Sequence, residues 1–272
     1  MRITTIAFVS TIIVLLALFM FFSTEGKLKD LYDHATAKQT CKASVETHAK
    51  LKLRYADFSS DVKCPTVKLK INDKNEEAAK KKIADLMRDC WDNFGRGKLE
   101  LFTDDNVYCA VCYRVDFGKD VKINDFSKFL ASKSDSSKSV SYLKYLTTEK
   151  TDDTGFIEEF NNKKISDAID GSKDDKYAVV FTYIKGKKYL DEYLKKARNA
   201  APGAGSVIVG VMLIAQHPVI GTILVAGGAI WAGLETYFTK DPFQHIALIN
   251  FIPYNPEQLT ALNCKDLPVL QQ

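Results

Sequence analysis

The feature that most restricts the fold of this chain is a long uncharged segment in its C-terminal third. Asn199 to Leu234 is 36 residues without Asp, Glu, Lys or Arg, and Arg198 and Glu235 bound it. A single helix of that length would measure about 54 Å, well beyond the roughly 30 Å of a bilayer core. Pro218 would also break such a helix, because proline has no backbone N–H to donate. The segment is therefore expected to change direction.

A second apolar run lies at the N-terminus. Ile6 to Phe22 is 17 residues long, with Ser10 and Thr11 as its only polar members. At about 1.5 Å per residue, a helix of this length can cross a bilayer core. A cleaved signal peptide is the alternative, but its apolar region is usually shorter and a small-residue cleavage site should follow it. The residues after Phe22 offer no such site, so an uncleaved transmembrane anchor is predicted.

Six cysteines accompany this anchor. An even number of cysteines on an exported chain indicates disulfide bonds formed in an oxidising compartment, and many pairings are open. The main domain is therefore predicted to lie outside the cytoplasm. The predicted disulfide residues are Cys41, Cys64, Cys90, Cys109, Cys112 and Cys264.

Cys109 and Cys112 form a C-x-x-C motif, for which three roles compete. In a redox pair the motif opens a helix, whose dipole lowers the thiol pKa. A zinc site would normally show a second close pair of ligands. Here the hydrophobic residues between Val107 and Phe117 alternate with period two, which predicts a strand. Residues three apart on a strand point to opposite faces, so each cysteine is expected to bond a different partner. Structural disulfides are the preferred interpretation.

The cysteines also bear on the uncharged insert. One further membrane crossing would put Cys264 inside and leave an odd cysteine outside, whereas a hairpin returns the chain to the same side. An apolar helical hairpin turning near Gln216–Pro218 is therefore preferred over one tilted transmembrane helix at about Val207–Leu234 or a buried helix pair. Small residues at four-residue spacing would let its arms approach closely. The residues predicted to contact a membrane or another copy are Gly205, Gly210, His217, Pro218, Gly221, Gly228 and Gly233.

Between the anchor and the insert, the spacing of hydrophobic residues predicts a series of strands and helices. Val67–Ile71 alternates as a strand, and Asp73 with Glu76 predicts a capping box for the next helix. That helix places Cys90 on its apolar stripe, where it can pin the helix to a strand, and Gly95 ends it. The remaining predictions are a hairpin of Leu99–Phe102 with Tyr108–Phe117, a helix at Phe156–Ile169, a strand at Tyr177–Ile184, a charged helix at Lys187–Arg198 and a strand at His245–Ile252.

The predicted fold class is α+β, with a disulfide-stapled extracytoplasmic domain, an antiparallel sheet, one N-terminal transmembrane helix and an apolar helical hairpin insert. Residues 1–24 are the anchor, 25–198 the α+β domain, 199–235 the insert and 236–272 a strand and tail that complete the domain. A hairpin insert would allow the strands before and after it to join one sheet.

Charge and composition narrow the choice of ligands. The formal net charge is +4, too small to predict nucleic-acid binding without a basic cluster on one face. The run Lys80–Lys82 is flanked by Glu76, Glu77 and Asp85 and is typical of a solvated helix face. No cofactor or metal is predicted, because the four histidines lack ligand spacing: His34, His48, His217 and His245.

One pattern is typical of a known group of proteins. It comprises Cys90-Trp91-x-x-Phe94-Gly95-x-Gly97-Lys98-x-x-x-Phe102, then Tyr108-Cys109-x-x-Cys112 and Phe117, then Tyr142-x-x-Tyr145-Leu146. It resembles uncharacterised, N-terminally anchored, cysteine-containing exported proteins of small-genome archaea, over about residues 1–146 and 245–264. The resemblance implies an anchor and one continuous fold, and it carries over no activity and no functional residues.

The leading functional hypothesis is a non-enzymatic, membrane-anchored extracytoplasmic structural or interaction protein. Its expected partners are a lipid membrane or further copies of the chain, which the apolar insert would contact. The alternative is an extracytoplasmic thiol–disulfide oxidoreductase that uses Cys109 and Cys112. A hydrolase is disfavoured, because the sequence has no G-x-S-x-G, no H-E-x-x-H and no phosphate-binding glycine loop.

Overall fold

The computed structural model describes residues 34–51, 62–118, 121–134, 140–147, 169–170, 176–200, 207–214, 217–226, 229–232 and 243–256, with residues 259, 262 and 264. The predicted anchor, Ile6–Phe22, lies outside the described residues, as does the predicted helix at Phe156–Ile169 except for its last residue. Within the described ranges, no helix is long and apolar enough to cross a membrane.

Helices and strands are both present but do not alternate regularly, and most strand pairs are antiparallel, so the chain is an α+β protein. The first half contains α1 (34–51), β1 (Val67–Ile71), α2 (Glu76–Asn93), a 3-10 turn (Gly95–Gly97), β2 (Val107–Phe117), β3 (Lys122–Ile123), α3 (Phe126–Ser132) and α4 (Tyr142–Leu146). The second half contains β4 (Ile169–Asp170), β5 (Lys176–Ile184), α5 (Lys187–Ala200), β6 (Val207–Ile214), β7 (His217–Ala226), β8 (Ala229–Ala232) and β9 (Phe243–Pro253).

A seven-stranded sheet with the order β1-β2-β5-β9-β6-β7-β8 forms the centre of the fold. The β1–β2 pair is parallel and the other pairs are antiparallel, so the predicted all-antiparallel sheet is wrong in this one pair. The connection through α2 explains the difference, because parallel neighbours need a long crossover and a helix usually supplies it. The predicted hairpin is also wrong, because Leu99–Phe102 is not a strand and β2 pairs with β1 and β5 instead.

Helix α2 begins later than its predicted capping box. The side chain of Asn75 caps it by accepting from the Ala78 N–H at 3.1 Å. Asp73 instead faces Lys82, with its Oδ2 atom 3.9 Å from the lysine Nζ. Both residues are good N-caps, so the sequence pattern could not separate them. The predicted apolar stripe is confirmed, and its buried members include Ala79, Ile83, Leu86, Met87, Cys90 and Trp91.

Hydrophobic cores lie on both faces of the sheet. The first face carries α1 to α4, whose apolar residues pack on alternate residues of β2, β5 and β9. Aromatic contacts are dense there, and the Phe94 and Phe181 rings stack with centroids 4.0 Å apart. The second face carries α5 and residues near the C-terminus, so that Leu190, Tyr193 and Leu262 pack over the intervening strand positions.

A β-bulge in β2 decides which residues reach each face. Val111 pairs with Val180 and Tyr113 with Val179, so Cys112 is an extra residue in this strand. Because one inserted residue reverses the alternation, Tyr113 and Val115 join the first face, whereas Val107 and Val111 belong to the second. The predicted period-two strand is confirmed, but it does not keep one apolar face along its whole length.

The insert forms strands rather than the predicted helical hairpin. Strand β6 pairs with β9 on one side and β7 on the other, and β8 completes the sheet beyond β7. The turn does fall near its predicted position, since Ile214 and His217 pair directly across it. Valine and isoleucine are five of the eight residues of β6, and β-branched side chains favour strands over helices. That composition is the physical reason for the correction.

Candidate functional site

Three disulfides tie the layers of the fold together. The pairs are Cys41–Cys64, Cys90–Cys112 and Cys109–Cys264, with Cα–Cα distances of 4.2, 5.8 and 5.6 Å respectively. Each disulfide joins two elements that are separated in sequence. The first joins α1 to the segment before β1, the second pins α2 to β2, and the third joins β2 to the C-terminal segment. The prediction that Cys90 pins its helix to a strand is confirmed.

The C-x-x-C motif does not form a pair of its own. Cys109 belongs with the residues of the second face and bonds Cys264, whereas Cys112 lies in the first core and bonds Cys90. The predicted separation of the two cysteines to opposite faces and different partners is confirmed. A dithiol enzyme passes electrons through two neighbouring sulfurs, and this arrangement divides the sulfurs between two separate bridges.

The insert adds three strands to one side of the sheet. Strands β5 and β9 are antiparallel neighbours that pair from Tyr177–Pro253 to Ile184–Ile246. The prediction that the strands before and after the insert join one sheet is confirmed. Strands β6, β7 and β8 all lie beyond β9. The insert therefore leaves the β1-β2-β5-β9 order intact and ends the sheet with its own apolar segment.

Of the seven residues predicted as membrane or oligomer contacts, four lie in described strands and three lie outside the described residues. Gly210 lies in the middle of β6, opposite Ile223 of β7 and Leu248 of β9. His217 and Pro218 begin β7, and Gly221 pairs with Met212. Proline is tolerated at strand starts and bulges, and the register shift between Met212 and Ile214 occurs at this end of β7. Gly205, Gly228 and Gly233 lie outside the described residues.

A buried polar cluster connects α5 to the second face of the sheet. The Tyr193 hydroxyl donates to Asn250 Oδ1 at 2.8 Å, and Asn250 Nδ2 donates to Thr182 Oγ1 at 2.6 Å and to the Val180 carbonyl at 3.2 Å. Cys109 Sγ lies 3.5 Å from the same Thr182 oxygen. Burial raises the pKa of Tyr193 well above its usual value, which keeps the phenol a donor. A polar Asn250 within a run of apolar residues was the available sequence signal, and the sequence reasoning missed it.

An acidic and basic stripe runs along α2 towards α4. The Tyr142 hydroxyl donates to Asp85 at 2.7 Å, and the Tyr145 hydroxyl donates to Asp92 at 2.6 Å. Arg96 Nε lies 3.0 Å from Asp92 Oδ1, and its guanidinium carbon lies 4.8 Å from the Tyr145 ring centroid. These contacts attach α4 to α2. Burial and the hydrogen bond to Asp92 raise the pKa of Tyr145 above its usual range, so this phenol is a poor proton donor to a substrate.

Three histidines link separate elements of the fold. His48 Nε2 lies 2.7 Å from the Leu101 carbonyl, and His245 Nε2 lies 3.0 Å from the Gly97 carbonyl. His34 Nε2 lies 3.2 Å from the Tyr113 hydroxyl. Burial, together with the charge of Asp89, raises the pKa of Tyr113 above its usual range.

A small cavity separates α1 from β1 and β2. Its volume is about 10 Å³, and Lys38, Asn93, Tyr113 and the Cys41–Cys64 bridge line it. Asn93 is 4% exposed, and its Oδ1 has no hydrogen-bond partner among the described protein atoms. Such a volume is about that of one water molecule. The cavity is too small for an organic ligand, since ligand pockets usually exceed roughly 300 Å³.

Within the described part of the chain, no group of three or more His, Cys, Asp or Glu side chains could hold a metal ion. Comparison with known proteins adds no relative, because no protein family, no curated protein and no solved structure matches this chain. The resemblance to exported archaeal proteins stays a hypothesis.

Proposed function

We propose that this chain is a membrane-anchored extracytoplasmic structural or interaction protein whose apolar insert contacts a membrane or a second copy of the chain. One observation carries the proposal: the uncharged insert supplies the last three strands on one side of the sheet, outside β9. A sheet that ends in apolar strands offers backbone N–H and C=O groups and apolar surface together. Both features suit association better than catalysis.

The compartment rests on two further observations. The apolar run Ile6–Phe22 has the length of a membrane anchor, and all six cysteines are paired. Disulfides persist in oxidising compartments and are rare in the cytosol. The resemblance to anchored archaeal proteins supports the same placement of the domain outside the cytoplasm.

Removal of the insert tests the proposal directly. Residues 201–242 would be replaced by a short Gly-Ser linker, which preserves β5 and β9 as neighbours. Because the predicted anchor would hold every variant on vesicles, all proteins in this comparison lack residues 1–24. We expect the protein with the insert to bind vesicles or to form oligomers, and the shortened protein to lose that property while its disulfide map stays unchanged. A matched control deletes residues 135–139 in the serine-rich loop. Equal vesicle binding and equal oligomer size in all three proteins would refute a contact role for the insert.

The anchor needs a separate experiment. We expect the full chain to stay in the membrane pellet after alkaline carbonate extraction, and a membrane-impermeant maleimide to label the cysteines of intact cells only after reduction. Release by carbonate would contradict the anchor. Labelling that requires cell lysis would contradict the extracytoplasmic placement.

The alternative function is a thiol–disulfide oxidoreductase, and the C-x-x-C motif is the observation that favours it. Its test is alkylation of Cys109 and Cys112 in the native protein after mild reduction. An oxidoreductase requires a rapidly alkylated thiol with a lowered pKa. Slow, equal alkylation of both cysteines would exclude this function, and the division of the motif between two bridges favours that outcome.

A further inference from the structure

Four cationic residues gather at one corner of the second face of the sheet. Lys68 and Lys70 belong to β1, Arg114 to β2 and Lys176 to β5. Each is next in sequence to a residue that packs in the first core, such as Leu69, Val115 or Tyr177. Because neighbouring strand residues point to opposite faces, all four cationic side chains lie on the second face of the sheet. We name these four residues the basic corner.

The strand register shows how close the four residues are. Lys68 is the direct partner of Arg114, and Lys70 is the partner of Asp116, which in turn pairs with Lys176. Adjacent strands are about 4.8 Å apart, so the basic corner spans about 10 Å across three strands. Members on the same strand or on adjacent strands lie within the Debye length of about 8 Å in physiological salt, so their potentials add, whereas charges two strands apart are more strongly screened.

The charges of the basic corner are only partly balanced. Among the described residues that pair across the strands with members of the basic corner, Asp116 is the acidic one. Its Oδ1 atom lies 3.3 Å from Arg114 Nε. Lys68, Lys70 and Lys176 are exposed. Like charges in direct cross-strand contact destabilise a sheet, as in the pair formed by Lys68 and Arg114. Lysines on an edge strand also prevent edge-to-edge aggregation, but that role does not explain cations on the interior strands β2 and β5.

Tyr254 completes the corner. Its ring centroid lies 5.7 Å from the guanidinium carbon of Arg114, and its side chain is half-buried. Tyrosine is enriched where protein meets the headgroup layer of a membrane, because its ring is apolar and its hydroxyl is polar. Cations beside such a ring suit a phosphate-bearing surface.

We infer that the basic corner is a docking surface for the anionic headgroups of a lipid bilayer. The inference rests on the anchor of the proposed function, which keeps the domain close to a membrane. Residues 23–33 separate Phe22 from the start of α1, and 11 residues span at most about 40 Å. The corner would thus set which side of the tethered domain faces the lipid, independently of the insert.

The test measures lysine acylation in the full chain mixed with vesicles. A water-soluble acylating reagent would be applied with phosphatidylcholine vesicles, with vesicles that also contain phosphatidylglycerol, and with soluble polyphosphate. Peptide mass spectrometry would report the rate at each lysine. We expect acylation of Lys68, Lys70 and Lys176 to slow roughly fivefold with the anionic vesicles only, and the effect to disappear at high salt.

Two double variants sharpen the result. Lys68→Gln/Lys70→Gln should abolish the protection at Lys176, whereas Lys42→Gln/Lys50→Gln should leave it unchanged. Lys42 and Lys50 are exposed residues of α1, on the opposite layer of the fold, so the control removes the same charge elsewhere. Their own amines should remain unprotected in the parent chain.

The outcomes separate this inference from the proposed function. Absent protection with anionic vesicles, or equal protection at Lys42 and Lys50, overturns it. Protection by polyphosphate without protection by vesicles means that the corner binds a soluble polyanion, and this also overturns it. Loss of the chain from vesicles under alkaline carbonate refutes the anchor alone, since the acylation pattern still reports whether the corner meets lipid.

Discussion

Cys109 and Cys112 lie three residues apart on β2, yet they bond partners on opposite faces of the sheet. Cys109 reaches Cys264 on the second face, and Cys112 reaches Cys90 of α2 on the first. Strand β2 therefore carries one disulfide on each face of the sheet. Both layers that cover the sheet are covalently attached to this one strand.

This arrangement predicts unequal costs for removing the two bridges. The chain-entropy relation gives about 3 kcal/mol for Cys90→Ala/Cys112→Ala and about 5 kcal/mol for Cys109→Ala/Cys264→Ala, because the sequence separations are 22 and 155. Urea unfolding of the two variants measures the difference, and non-reducing peptide mapping checks the pairs. A peptide that links Cys109 to Cys112 would contradict the pairing.

Gly97 is expected to tolerate no side chain. Its φ is +66°, and a Cβ there would lie 2.6 Å from both Ala247 Cβ and Trp91 Cη2. Left-handed backbone costs about 1–2 kcal/mol with a side chain, and overpacking adds about 1–3. Gly97→Ala should therefore lower the unfolding free energy by about 2–5 kcal/mol. Gly118→Ala is the control, since its nearest contact is the movable Asn72 side chain at 3.0 Å; equal losses would reject the argument.

The polar cluster beneath α5 should behave as one unit. Asn250→Ala removes the partner of Tyr193 and of Thr182, and each buried group left unsatisfied costs about 1–3 kcal/mol. Tyr193→Phe should cost about 1–2 kcal/mol in the parent and much less once Asn250 is alanine. A double-mutant cycle by urea unfolding measures this coupling. Tyr189→Phe on the same helix is the control, and strictly additive losses at Tyr193 and Asn250 would show that the cluster is not coupled.

Stability should fall in strong alkali because of three buried phenols. Burial raises the pKa of Tyr113, Tyr183 and Tyr193 in the folded state, whereas unfolded tyrosine ionises near pH 10. Above that pH the unfolded chain binds fewer protons than the folded one, so its free energy drops relative to the folded state. Each tyrosine then contributes a slope of about −1.4 kcal/mol per pH unit.

Urea unfolding at several pH values between about 9 and 11 checks this slope. Below pH 10 the contribution of these tyrosines should be constant. Tyr113→Phe should make the slope of the unfolding free energy against pH shallower by about 1.4 kcal/mol per pH unit. A stability that does not change through this range would show that the phenols ionise equally in both states.

Local periodicity predicted most of the elements around the core. The strand at Tyr177–Ile184 and the helix from Lys187 are found within a few residues of their predicted bounds. A chain that returns after the insert predicts that the strands before and after it join one sheet, and the structure makes them the antiparallel neighbours β5 and β9. The opposite placement of Cys109 and Cys112 followed from strand geometry alone. These features depend on short stretches of sequence, where alternation and helical spacing are physically distinct.

The insert shows where local patterns stop being informative. Small residues four apart predict one face of a helix, but because four is an even number such residues also share one face of a strand. A continuous apolar run cannot separate a buried strand from a buried helix by periodicity. The parallel pairing of β1 with β2 and the bulge at Cys112 depend on contacts between distant segments, which no local pattern encodes.

The bridge between Cys109 and Cys264 closes a covalent ring of the chain, and the whole insert lies within it. A protease that cuts the insert once would open the ring without releasing either part. The two fragments would still migrate as one species until a reductant was added. A single cut in the insert would therefore leave the two parts of the domain in one covalent piece.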